Sequence, residues 1–155
     1  KITKGKDITL VSMSYMTVEA LMAQKYLERY DISLDLIDLR TVKPIDFEAI
    51  VESLETTRKI LILDTGVSTC SIASEIISYI AINHSSLLDK PPEKITMPDI
   101  PEPTSYGLTK NFYPRAADIA QKIISIIGIE GINPYQEIKK PSPHDVPGEW
   151  FKGPF

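Results

Sequence analysis

Three short, nearly continuous apolar runs, ITLVSMS (8–14), LDLIDLR (34–40) and KILILDT (59–65), are each followed by a stretch of helical periodicity. That alternation leaves few folds open. Runs apolar throughout, rather than at every second residue, suit strands covered on both faces, as in a parallel sheet. After the first run, Met16, Ala20, Ala23, Leu27 and Tyr30 recur at helical spacing, with Glu19, Lys25, Glu28 and Arg29 off that stripe. Asp46 is a good N-cap for a second helix with Phe47, Ile50, Val51 and Leu54 on one face. A third helix aligns Ile72, Ile76 and Ile80. Strand then helix, three times over, argues for right-handed crossovers and an α/β domain of three layers.

EKITMP (93–98) predicts a fourth strand, a Pro-rich extended segment follows it, and PRAADIAQKIISIIG predicts a last helix with Pro114 in its first turn and Gly128 at its end. Its buried stripe is Ala116, Ile119, Ile123 and Ile127. The opening KIT is expected to add a short antiparallel edge strand. The expected fold is α/β/α with a mostly parallel five-stranded sheet over residues 1–128, followed by an extended, Pro-rich tail over 129–155.

The charge balance, 17 basic against 21 acidic residues, offers no basic footprint for nucleic acid or for a membrane surface. No apolar run approaches the roughly 18 residues that a spanning helix needs, and the first ten residues lack a signal-peptide core. A cytoplasmic setting, or the mitochondrial matrix in a eukaryote, is the expectation. Lys1 in place of Met fits a processed chain or an excised fragment. One cysteine, Cys70, and two histidines, His84 and His144, give no cluster at metal-ligand spacing.

Ligands of open α/β sheets bind where strands end and helices begin, which puts Ser12, Ser14, Arg40, Thr41, Asp64 and Thr65 on the edge to inspect. The same residue types cap helices and satisfy loop backbone. DTGVSTCSI has too few glycines for a phosphate cradle. Cys70 stands near a helix start, where a thiol can be activated, but a single cysteine is more often packed. Asp35 and Asp38, three apart in a strand, point to opposite faces. Asp38 is expected to be the buried one, with Arg40 as its donor.

The order of motifs then becomes informative. GKDITLVSMSYMTVEALMAQKYLE, ISLDLIDLRTVKPIDFEAIVESLETTRKILILD, ASEIISYI and PDIPEPTSYGLTKNFYPRAADI together resemble the C-terminal domain of transketolase-like thiamine-diphosphate enzymes. Within that group the likeness is to the beta subunit, or beta half, of the decarboxylating component of 2-oxo acid dehydrogenase complexes, and it covers roughly residues 2–127. The PDIPEPTS and FYP blocks favour this group over deoxyxylulose-phosphate synthase or transketolase proper.

The resemblance implies a non-catalytic domain. Thiamine diphosphate and magnesium would be held by other domains of the parent enzyme. This domain would build a homodimer or an alpha/beta heterotetramer and help to dock the lipoyl acyltransferase core. Asp89 matches a docking acid of the family, with Glu93 as a weaker neighbour, and Arg40 becomes a structural or interface residue. Two departures stand out: Asp64, Thr65, Thr69, Cys70 and Ser71 occupy a region where the family usually shows Glu-Glu and Gly-Gly pairs, and 27 residues follow Gly128. In that tail Trp150, Phe151 and Phe155 are large apolar anchors, for a neighbouring subunit or for this domain's own surface. The competing readings are a stand-alone domain binding a small anion at the strand edge, and a thiol or hydrolytic enzyme using Cys70.

Overall fold

The computed structural model describes residues 1–139 and 143–146. Four parallel strands, β1 (Ile8–Ser12), β2 (Leu34–Asp38), β3 (Ile60–Val67) and β4 (Glu93–Met97), form one sheet in the order β2-β1-β3-β4. The helices are α1 (Tyr15–Leu27), α2 (Phe47–Thr57), α3 (Ile72–Asn83), α4 (Ala116–Ile127) and a short α5 (Pro134–Glu137). The three-layer parallel architecture matches the expectation from periodicity.

Strand alternation sorts the core into two halves. Ile8, Leu10, Leu34, Leu36, Leu61 and Leu63 face α1 and α4, whereas Val11, Ile37, Ile60 and Ile62 face α2 and α3. The helix stripes read from the sequence are the ones that pack: Met16, Ala20 and Ala23 on α1, Ile50 and Leu54 on α2, Ile76 and Ile80 on α3, and Ala116, Ile119 and Ile123 on α4. Helix ends also follow the expected chemistry. Asp46 accepts the Ala49 N–H at 3.0 Å, and Gly128 ends α4 at φ 84°, a left-handed conformation that glycine adopts without Cβ strain. Pro114 falls just outside α4, whose N-cap is Arg115.

The opening residues lie along β2 without forming a fifth strand among the described residues. The Ile2 N–H donates to Leu36 O at 2.7 Å, and the Thr3 hydroxyl accepts from the Leu36 N–H at 3.3 Å. A side chain thus takes an edge group that a ladder would have used, and the strand edge is blunted. Gly5 passes so close to β2 that a Cβ there would sit 2.4 Å from the Leu34 carbonyl carbon.

Asp35 is the buried carboxylate of β2, and Asp38 is only partly covered, the reverse of the expectation. Asp35 faces α2, where the Ser53 hydroxyl donates to it at 2.7 Å and Lys1 lies 3.0 Å away. Thr9 joins the same network through Ser53 (2.7 Å) and Thr57 (2.6 Å). Periodicity places both aspartates on strand faces but does not reveal which face carries hydroxyls opposite.

Beyond Gly128 the chain folds back on α1 and α4. Residues 129–139, expected to be extended, include α5, which starts at Pro134 with Asn133 Oδ1 accepting the Tyr135 N–H at 3.2 Å. Glu137 on α5 accepts from Tyr30 (2.8 Å) and Tyr26 (3.1 Å) and pairs with Arg29 at 3.0 Å. The Tyr30 hydrogen bond is the largest cause that holds the Glu137 carboxyl below its usual range. Among the described residues no helix is long and apolar enough to cross a membrane.

Gly5→Ala should destabilise the fold by about 1–3 kcal/mol, because the backbone of β2 or of the opening segment must move aside. Denaturant unfolding, with loss of hydrogen-exchange protection at the Ile2 amide, is the check.

Candidate functional site

The carboxyl ends of β1 and β3, where strand order reverses, define the edge on which a site of this fold class would lie. On β1, the Ser12 hydroxyl lies 2.9 Å from Thr17 Oγ1, which donates to Asp38 at 3.0 Å, and Asp38 pairs with Arg40 Nε at 2.6 Å. Arg40 is therefore the outer member of a polar chain that starts in the sheet. Its side chain is 86% exposed, and an ion pair in that setting contributes at most about 1 kcal/mol. The loop that follows contains a cis Lys43–Pro44 bond, and the Thr41 hydroxyl donates to Pro44 O at 3.0 Å.

On β3, buried Asp64 accepts the Gly66 N–H at 2.8 Å and the Ala73 N–H at 2.9 Å, which ties the strand end to the first turn of α3. Ser71 caps the same helix by accepting the Ser74 N–H at 3.1 Å. Cys70 is exposed just before this cap, in a left-handed conformation at φ 54°. Asp46 does for α2 what Asp64 does for α3.

At α4 the carboxylate comes from another helix. Glu19 of α1, 3% exposed, accepts the Ala116 N–H at 2.8 Å and lies 3.2 Å from Arg115 Nη1, itself 9% exposed. Arg115 also donates through Nη2 to the carbonyls of His144 and Val146, both at 2.9 Å. The His144 ring lies tilted against Tyr106, with centroids 4.1 Å apart and planes at 37°, and its Nε2 lies 2.9 Å from Tyr106 O and 3.1 Å from Thr109 Oγ1. A carbonyl oxygen can only accept, so Nε2 carries a proton.

A cleft of about 370 Å³ opens beside this junction between Thr109, Tyr113, Arg115, Asp118, Tyr135 and His144. The Tyr113 hydroxyl donates to Glu102, which raises its pKa, and burial raises that of Tyr15. Burial first, and a 2.9 Å hydrogen bond to Asp118 second, push Tyr135 from 10.0 to about 12. Around the cleft, Val67, Ile100, Tyr106, Leu108 and Val146 are exposed, Leu108 to 70%. Large apolar groups gathered at one edge mark an interaction surface more often than a solvated one.

Asp89 and Glu93 lie at the opposite, amino edge. Arg58 Nε donates to Asp89 at 2.7 Å, and Lys122 pairs with Glu93 at 2.6 Å. The structure thus brings the two acids to one edge and leaves Arg40 at the other. Trp150, Phe151 and Phe155 lie outside the described residues. The sequence reading missed Glu19 and Arg115 as partners. One signal was present: an arginine at a helix start stands where the dipole disfavours a cation, so it needs a carboxylate close by.

Residues 1–119 match the family described as the transketolase C-terminal domain. The chain belongs to that family. It is 32% identical over 130 residues to the beta subunit of acetoin:2,6-dichlorophenolindophenol oxidoreductase of Bacillus subtilis (strain 168), covering 84% of this chain and 38% of that protein. It is also 32% identical over 126 residues to the mitochondrial pyruvate dehydrogenase E1 component subunit beta of Chaetomium thermophilum, covering 79% of this chain and 33% of that one. The chain therefore spans about a third of the length of these relatives. A solved structure titled as a split-gene transketolase, inactive beta4 tetramer, superposes with a TM-score of 0.70 at 24% identity, over 83% of this chain and 41% of that chain, which supports the shared fold.

Among the described residues no group of three or more His, Cys, Asp or Glu side chains could hold a metal ion. The starts of α2, α3 and α4 each already hold a carboxylate, from Asp46, Asp64 and Glu19. These charges do not suit a diphosphate, which would need the same N–H groups and would be repelled.

Glu19→Ala should cost about 3–5 kcal/mol, because the buried guanidinium loses its counter-charge. Glu19→Gln, which keeps an acceptor for the Ala116 N–H, should cost less in the same urea titration. Tyr135 adds an alkaline limb. Its folded pKa is raised, so the contact with Asp118 contributes fully below pH 10 and is lost as pH rises to about 12. Tyr135→Phe should flatten that part of the stability–pH curve.

Proposed function

We propose that this chain is the C-terminal domain of the beta subunit, or beta half, of a thiamine-diphosphate-dependent 2-oxo acid dehydrogenase. It serves subunit assembly and the docking of a lipoyl acyltransferase core, and performs no chemistry by itself. The observation that carries this reading is the continuous match of residues 1–119 to the family, with beta subunits of acetoin- and pyruvate-handling enzymes as relatives over the same stretch. In such a parent, thiamine diphosphate and magnesium supply the decarboxylation chemistry from other domains, in the cytoplasm or the mitochondrial matrix.

The geometry supports a division of labour between the two sheet edges. The carboxyl edge, with Val67, Ile100 and Leu108 uncovered, is suited to pack against an alpha subunit or a second beta subunit. At the amino edge the Asp89–Arg58 pair is exposed and contributes little, so Asp89 can exchange its partner for a cation of the acyltransferase at small cost. Glu93 sits beside it with the same freedom. Trp150, Phe151 and Phe155 would add anchors to the neighbouring subunit. The alternative of a stand-alone anion-binding domain is disfavoured by the carboxylates already placed at three helix starts.

In the full-length beta subunit combined with its alpha partner, Leu108→Asp should weaken assembly at least about tenfold, read by analytical ultracentrifugation. Asp89→Asn should leave assembly intact and weaken acyltransferase binding. Titration of this isolated chain with thiamine diphosphate and Mg²⁺ should release no saturable heat; saturable binding would overturn the non-catalytic assignment.

A further inference from the structure

The α2–α3 layer differs in charge from the rest of the molecule. Its two helices carry Glu48, Glu52, Glu55 and Glu75 and neither lysine nor arginine, whereas α1 and α4 on the opposite face carry Lys25 and Lys122. Glu48, Glu52 and Glu55 follow one another at spacings of four and three, so they form a single stripe on α2. All three are exposed, and among the described residues none has an ion-pair partner. Glu19, Asp38, Asp89 and Glu93, by contrast, each take a cation. Neighbouring like charges on a helix destabilise it, and Glu55 adds a carboxylate in the last turn, where the dipole favours a cation.

Beside that stripe runs an aromatic seam. Phe47 of α2 stacks on Tyr79 of α3 with centroids 3.8 Å apart and planes at 17°, and His84 lies 5.5 Å from Tyr79. With Val51 they floor a groove of about 480 Å³ whose wall on the α2 side is the glutamate stripe. Ile82, one turn on from Tyr79, is 75% exposed.

We propose that this groove is a docking surface for a basic amphipathic segment of a partner protein, with lysines or arginines set against Glu48, Glu52 and Glu55 and apolar side chains laid on Phe47, Val51 and Tyr79. Charge complementarity selects this occupant: a second copy of the chain would bring another anionic layer to an anionic groove. An arginine has a further attraction to the face of Tyr79. The inference stands on charge and shape alone and does not depend on the proposed parent enzyme.

The test is fluorescence anisotropy of a labelled Lys/Leu amphipathic helical peptide against the full-length protein, with circular dichroism to confirm that each variant is folded. Saturable binding, weakened by added salt and at least about tenfold by the combined E48Q, E52Q and E55Q variant, is expected. Tyr79→Ala should also weaken it. A charge-matched control, Asp31→Asn with Glu130→Gln and Asp145→Asn, should leave it within about twofold. Asp89→Asn should do the same, so this inference and the amino-edge docking reading fail separately. No saturable binding, equal loss in the control, or equal binding of a Glu/Leu peptide would overturn the proposal. So would a dimer that the triple variant dissociates, because the groove would then be filled by a second copy.

Discussion

Strands β1 and β3 are covered by protein on both faces, so a polar atom on either has to find its partner inside the chain. Much of the structure follows from that requirement. Thr9 draws Ser53 and Thr57 onto the inner face of α2, and the Ser53 hydroxyl then holds Asp35 on the neighbouring strand. Asp64, within β3 and ahead of its last three residues, is met by the N–H groups of Gly66 and Ala73, and meeting the latter fixes where α3 begins. Asp35 Oδ1 is the single buried side-chain polar atom among the described residues without a hydrogen-bond partner. Burial of polar groups thus sets helix positions here as firmly as burial of apolar ones.

Legibility from sequence divides along the same line. The apolar runs and stripes located each strand and each long helix, because burial of aliphatic side chains leaves a period that can be counted. Asp46 and Gly128 were readable as caps, since their chemistry is local. Glu19 was not readable. Periodicity assigns a carboxylate to solvent, and its partner Arg115 lies 96 residues away. Asp35 and Asp38 were exchanged for a related reason: strand geometry separates their faces, but which face bears hydroxyls depends on α2. The KIT segment has strand-like residues and lies beside β2, yet the Thr3 hydroxyl meets the edge N–H first.

The family was legible only through the ordered set of motifs, and the structure explains why single residues could not supply it. The strand-end residues that would ordinarily suggest a ligand site, Ser12, Asp38, Arg40 and Asp64, are engaged with one another or with helix starts. What remains is surface, and it is differentiated. Exposed aliphatic and aromatic groups gather at the carboxyl edge, exposed ion pairs stand at the amino edge, and carboxylates line the outside of one helical layer. The chain spans about a third of the length of the relatives it matches.

The clasp of Arg115 on residues 144 and 146 has one more consequence. The guanidinium holds carbonyl oxygens, which all residues present alike, so these two bonds do not themselves read the side chains attached there. For these two bonds spacing along the backbone matters, and side-chain identity enters only at His144, whose ring meets Tyr106 and Thr109. Substitutions at Val146 leave the bonded atom in place, whereas inserting or deleting one residue before it shifts the register of both carbonyls.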